Sequence, residues 1–321
     1  MSKFRTNDPR LDGAESIWFS RQLEFIYADL LRIQYPELKA RKLIPKGRNT
    51  NPASKFTTFR MADVQGALKI IQNYATDLPR VGVTAKEEST PVHSVGGSLF
   101  YSMQDIRAGA ATGVSLENEL AIGARGLTER TIENLSALGD SATGIQGFLN
   151  HANVPATAAT TVSSATTWAA KQALNAGSTN GLLAGSQAIY NDLALTFQRM
   201  ASVTKGVGAP NAFALPPAQY AILENTPFSQ YSGRSILGEF LAAHPGVTVE
   251  PWYQCIGAGA GATDMMVAYK RDDGVVRLEI PMEFTMYPPQ PEGLGFNVPF
   301  EARVGGVVMP RPLELDYTTG L

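Results

Sequence analysis

The sequence predicts an α+β fold, and three observations predict it. Apolar residues recur at helical spacing in residues 14–35, 116–138 and 180–203. Runs with strand character fill residues 80–101 and most of the chain beyond residue 264. Between these regions short helical patterns sit beside short apolar runs, FAL before PAQYAILEN and VTVEPWY after RSILGEFLAAH, the pattern of helices packed on a sheet.

Residues 14–35 place Ile17, Leu23, Ile26, Tyr27, Leu30 and Ile33 on one stripe, which predicts an amphipathic helix ending near Pro36. The following LKARKLIPKGRNTNPASKFTTFRM carries Pro45, Gly47 and Pro52 as breakers and reads as an extended arm running into a strand. Between Glu37 and Asp63 there is no carboxylate, so Lys39, Arg41, Lys42, Lys46, Arg48, Lys55 and Arg60 repel one another unless acidic groups lie across from them. Residues 80–101 read as strands that pair with this extended run in a long hairpin.

A long helix is predicted over residues 116–138, with Ser115 as N-cap and Glu117 and Glu119 at the favourable end of its dipole. Gly123 and Gly126 inside it each weaken a helix by about 1 kcal/mol relative to Ala, which predicts a bend or close packing there. Gly139 stops it. PATAATTVSSATT (155–167) reads as a loop or edge strand. Residues 180–203 form another helix through Leu182, Leu183, Ile189, Leu193, Phe197 and Met200, and the last third turns to strands that Pro281, Pro299 and Pro310 confine to edges, bends or bulges.

Length and composition set further bounds. The chain has 321 residues, 44% hydrophobic and only 17% charged, a charge content low enough to point to surface buried between subunits. Residues 1–60 carry 12 Lys or Arg against 6 Asp or Glu, whereas the whole chain has a formal net charge of -2, so a basic amino-terminal fifth is joined to an acidic remainder. Cys255 is the single cysteine, which excludes an internal disulfide and a cysteine metal cluster. The start MSKFRTNDPR has no apolar signal core and no segment approaches a membrane span in length, so a cytosolic origin and no membrane partner are expected.

Three stretches could carry chemistry. Gly139-Asp140-Ser141 resembles a hydrolase nucleophile box, but a catalytic Ser141 needs an activating His and an orienting carboxylate. Only His93, His151 and His244 exist, and Leu241 stands where an Asp three residues before His244 would be required. GAGAGA at 257–262 has no helix behind it and no phosphate-binding Lys, so it reads as a loop between strands. The separated histidines and the pairs Glu87-Glu88 and Asp272-Asp273 read as packing and solvated charge. No catalytic residue, cofactor or metal is implied. The basic arm is the remaining candidate: with an acidic remainder in the same chain, its simplest partner is another copy of the protein, with nucleic acid or a merely solvated basic loop as the alternatives.

The order of these pieces, with Gly139-Asp140 running to Gly144-Ile145-Gln146-Gly147-Phe148-Leu149-Asn150 and the carboxyl-terminal FEARVGGVVMPRPLEL, resembles the major capsid protein of tailed bacteriophages, the Hong Kong ninety-seven-type fold shared with encapsulins. The resemblance implies an amino-terminal arm (1–36), an extended loop (37–100), a peripheral domain with a spine helix (101–150), an axial domain (151–284) and return strands of the peripheral domain (285–321). It makes Gly139, Asp140, Gly144 and Gly147 the exit turn of the spine helix, with Ser141 a turn residue. The implied function is a structural shell subunit forming hexamers and pentamers of an icosahedral shell around double-stranded DNA held without sequence specificity. The implied location is the virion, after host cytoplasm, and the implied partners are copies of itself, a portal and scaffolding or decoration proteins. An encapsulin-type compartment is the alternative reading, and a Ser hydrolase using Ser141 a distant one.

Overall fold

The computed structural model describes residues 34–70, 78–112, 116–177, 183–231 and 233–321. Residues 14–33 of the helix expected over 14–35, with its stripe through Ile33, the N-cap Ser115 and the Leu182 position lie outside these residues, and Gln34 and Tyr35 are not helical. The chain divides into two units, Met1–Glu37 and Leu38–Leu321.

Within the second unit the elements run α1 (Ala40–Leu43), β1 (Phe56–Gln65), β2 (Gly82–Pro91), β3 (His93–Ser102), α2 (Met103–Thr112), α3 (Leu116–Leu138), β4 (Gly139–Asp140), β5 (Ile145–Gln146), β6 (Ala156–Ala158), α4 (Trp168–Ala173), α5 (Ala184–Val203), β7 (Ala212–Leu215), α6 (Pro217–Asn225) and α7 (Ile236–Ala243). Then come β8 (Thr248–Pro251), β9 (Met265–Tyr269), β10 (Arg277–Glu279), β11 (Met282–Met286), β12 (Gln290–Glu292), β13 (Gly295–Val304), β14 (Gly306–Val308) and β15 (Leu315–Thr319). Among the described residues no helix is long and apolar enough to cross a membrane.

The centre is a mixed five-stranded sheet in the order β6-β15-β9-β7-β8. Its inner strands are buried on both faces, and the two-residue period sorts their side chains into two cores. Phe213, Leu215, Met266 and Ala268 face α4 to α7, where Trp168, Ile189, Leu193, Leu223, Ile236 and Phe240 complete one core. Ala212, Ala214, Met265, Val267 and Tyr269 face the other way, onto Ile132 of α3, Phe148 and Leu149 after β5, and Ala40, Leu43 and Ile44 in and just after α1. The last strand of the chain, β15, lies between β6 and β9, so the boundary expected at residue 285 does not hold the tail apart from the axial sheet.

The expected long hairpin divides at Val92. Its first half, β2, pairs with β1 from Phe56↔Pro91 to Gln65↔Gly82, while its second half, β3, pairs along its whole length with β13. Pro299, expected at an edge or bend, sits inside β13. Its carbonyl accepts the Tyr287 N–H at 2.9 Å, and that side of β13 is the gap between β11 and β12. Proline has no N–H to return on that side, so this pair carries the single bond, placed at the break between β11 and β12. Gly123 and Gly126 do not mark close packing within the subunit, since a side chain on either would meet open space in the 23-residue α3.

Candidate functional site

The spine-helix exit is built from backbone needs. The last carbonyls of α3 have no helical donor, and the exit turn supplies them: Phe148 N–H donates to Ser136 O at 2.8 Å, Leu149 N–H to Ala137 O at 2.9 Å and Asn150 Nδ2 to Leu138 O at 2.5 Å. The chain can fold back this closely because Gly139 adopts φ +66° and Gly147 lies against the backbone of Leu138 and Gly139. Gly144 takes φ +75° at the outer bend. Asp140 fixes the loop, its Oδ1 accepting the Ala142 N–H at 3.1 Å and its Oδ2 the Thr143 hydroxyl at 2.8 Å. The Thr143 hydroxyl, with the Ala142 N–H, holds the Asp140 carboxyl below its usual range. Beyond the turn Phe148 and Leu149 enter the core, and Phe148 stacks edge-on against Tyr269 with ring centres 5.0 Å apart.

Ser141 is exposed at the tip of this turn. The fold brings His93 to this turn, a juxtaposition no sequence spacing reveals, where the ring donates through Nε2 to the Thr143 carbonyl at 3.1 Å. The other two histidines are packed. His244 stacks on Phe197 with ring centres 4.2 Å apart, and burial pushes the His151 pKa down.

The basic segment departs from the expectation of a wholly extended arm whose acidic counterparts lie on another copy. Residues 40–43 form a helical turn, α1, that buries Ala40 and Leu43. The acidic groups across from it belong to the same chain. Arg41 is gripped by Glu129 of α3 (2.9 Å) and Glu283 of β11 (2.8 Å), and this contact holds the Glu283 carboxyl below its usual range. Lys39 and Lys42 face Glu250 at 3.9 and 2.7 Å, and Lys46 faces Glu283 at 3.6 Å. Arg48 pairs with Asp273 at 2.5 Å, and Arg60 with Glu87 across the hairpin at 2.6 Å. Lys55 is exposed at the foot of the hairpin.

Sequence reasoning missed the residue that organises this region. Glu133 of α3 is buried, and its Oε1 accepts Lys39 N–H at 3.0 Å and Trp252 Nε1 at 2.6 Å while its Oε2 accepts Ala40 N–H at 2.9 Å. One carboxylate therefore joins the basic segment, the spine helix and the chain just beyond β8. No local signal marked it, since Glu133 lies off the leucine stripe of the predicted helix, and its partners lie 93, 94 and 119 residues away.

The hairpin projects from this base. Thr57 and Thr90 are buried at its root, but Phe56, Val64, Val81 and Val83 are exposed, and Leu68 and Ile70 beyond β1 are 89% and 97% exposed. A two-stranded ribbon has no core of its own, and an apolar tip of this kind marks a surface that another molecule covers.

Comparisons with known proteins agree with this architecture. The family model described as "Major capsid protein" matches residues 66–321. Comparison with curated proteins gives no match. Among solved structures, the capsid of Myoviridae phage XM1 is similar with a TM-score of 0.79 at 18% identity, covering 94% of this chain and 98% of that one. The capsid of a native GTA particle is similar with a TM-score of 0.62 at 10% identity, covering 98% and 99%. A virus-like particle from Pyrococcus furiosus is similar with a TM-score of 0.51 at 14% identity, covering 86% and 90%. The spine helix, its glycine exit and the hairpin are thus parts of a tailed-phage capsid fold, and the chain belongs to the major capsid protein family as a structural shell subunit.

Proposed function

We propose that the chain assembles through hexamers and pentamers into a closed icosahedral shell around double-stranded DNA, held without sequence specificity. The observation that carries this reading is the projecting hairpin with its exposed apolar tip, because a surface of that composition gains stability only when a neighbouring subunit covers it. In the shell, the five-stranded sheet with α4 to α7 takes the axial place, and the sheet of β3 and β13 with α3 takes the peripheral place. Portal, scaffolding and decoration proteins are the further partners, and the subunit passes from host cytoplasm to virion. Lys55 keeps an intersubunit role, since it stays exposed beside the hairpin. The other six basic residues serve an interface by holding the hairpin's base in shape.

Electron microscopy of the purified protein is the direct test, with rings or closed shells as the expected result. Replacing Leu68 and Ile70 together by Asp should leave the melting temperature of the unassembled chain within the small range usual for surface changes and abolish shells. Shells of normal size from this variant would reject the hairpin's role. Nuclease-resistant DNA inside particles from producing cells supports the virion reading, and protein cargo in its place supports a compartment.

The subunit acts as structure and not as a hydrolase, because the His93 nitrogen nearest the turn is engaged by Thr143. Ser141→Ala should change stability by under about 0.5 kcal/mol and leave assembly unaltered. Labelling of Ser141 by a fluorophosphonate probe would overturn this.

A further inference from the structure

We propose that Glu279 and Gly47 form a lock that sets the direction in which the β1–β2 hairpin leaves the subunit. Glu279, on β10, is fully buried. Its Oε2 accepts the Asn49 N–H at 3.0 Å. Its Oε1 lies 2.8 Å from Arg277 Nε at an angle too poor for a hydrogen bond, so that contact is held by charge. Gly47 passes so close to this carboxylate that a methyl group in its place would overlap it. On either side, Gly47 N–H donates to Leu278 O at 2.7 Å and Leu278 N–H to Pro45 O at 2.8 Å, which lays residues 45–47 along β10 like an added strand.

Asn49 carries the constraint outward. Its backbone is held by Glu279, while its side-chain Nδ2 donates to Ser54 Oγ at 2.9 Å and to Thr57 Oγ1 at 2.8 Å. Thr57 is the buried second residue of β1. An uninterrupted line of bonds thus runs from the core carboxylate through Asn49 to the start of the hairpin. The returning strand is tied to the same root by the Val92 N–H, which donates to Lys55 O at 2.9 Å. Farther out, Arg277 lies over the Phe59 ring at 6.0 Å and the ribbon is otherwise carried by its own ladder among the described residues, and a two-stranded ribbon held only near its foot would swing. The lock removes that freedom before assembly, which lowers the ordering cost of docking the tip on a neighbour. This purpose rests on the shell reading above, but the geometry can be measured without a shell.

Cys255 is the sole cysteine and is buried, so Ala62→Cys on β1 and Arg125→Cys on α3 can be spin-labelled selectively. Pulsed electron paramagnetic resonance on the full chain, kept below its assembly concentration, should give one narrow distance peak. Gly47→Ala and Glu279→Ala should both lose that peak to a broad distribution. Glu279→Gln, which retains an acceptor for Asn49 N–H, should keep it. Asn49→Ala cuts only the outward link and provides the decisive variant if either core substitution fails to fold. It too should broaden the distribution. A narrow peak unchanged in Asn49→Ala, or a broad distribution in the unsubstituted chain, would overturn the lock. A narrow peak that responds as expected in a protein that never forms shells would instead reject the assembly reading and leave the lock standing.

Discussion

Lys171→Ala is expected to destabilise the unassembled subunit by roughly 3 to 5 kcal/mol, the usual cost of leaving one member of a buried ion pair without its partner. Lys171 of α4 and Asp192 of α5 form an ion pair with side chains 0% and 1% exposed. Asp192 is fully committed: Thr160 N–H and hydroxyl reach its Oδ1 at 3.0 and 2.6 Å, and Trp168 Nε1 reaches its Oδ2 at 2.9 Å. This one carboxylate fixes the small-residue connector before α4, the N-terminal turn of α4 and the middle of α5. Removing the lysine leaves its charge without a cation in a site from which water is excluded. The double change Lys171→Met with Asp192→Leu should recover only part of the loss, since Trp168 and Thr160 then have donors without acceptors. The shift in the urea midpoint followed by tryptophan fluorescence measures both. A loss below about 1 kcal/mol for the single change would place the pair among screened surface bridges and reject this account.

What the sequence revealed of this fold depended on whether the cause of each element is local. The spine helix was legible because its apolar spacing, acidic first turn and terminal Gly139 all act within a few residues, although Leu127 and Leu138 are exposed and Ala124, Ile132 and Ala137 form its buried side. The exit turn was legible for the same reason, its glycines and Asp140 meeting partners inside residues 136–150. Helix α2 was missed, although it announces itself by a capping box: Ser102 Oγ accepts the Asp105 N–H at 3.1 Å while Asp105 Oδ2 accepts the Ser102 N–H at 3.0 Å. A search for Ser-x-x-Asp would have found it, but its few apolar residues gave no stripe. The basic segment shows the opposite limit. Arg41 meets Glu129 and Glu283, 88 and 242 residues downstream, and no local pattern assigns such partners to the same chain or to a neighbour. The lack of carboxylates pointed correctly to acidic groups across from the arm, and only the tertiary fold shows whose they are.

Gly147→Ala is expected to be a severely damaging conservative substitution in the exit turn, with a loss above about 4 kcal/mol, the range that marks a specific structural failure. An added methyl would fall on the carbonyl carbon of Leu138, the nitrogen of Gly139 and the carbonyl oxygen of Ala137. These are backbone atoms of the helix end, and they cannot swing aside as a side chain can. The Ala137 carbonyl is also the acceptor for Leu149 N–H, so any shift that relieves the overlap breaks the bond that seats Leu149 and, beside it, Phe148 in the core. Gly144→Ala is the matched control. It forces a side chain into φ +75°, at about 1 to 2 kcal/mol for a left-handed residue, but the added methyl would meet only the Pro91 ring at 3.6 Å, an ordinary contact. Soluble yield and thermal midpoint of the two variants, prepared side by side, separate close approach from backbone conformation. If Gly147→Ala melts no lower than Gly144→Ala, the turn can open without harm, and the motif following the spine helix owes its glycines to conformation alone.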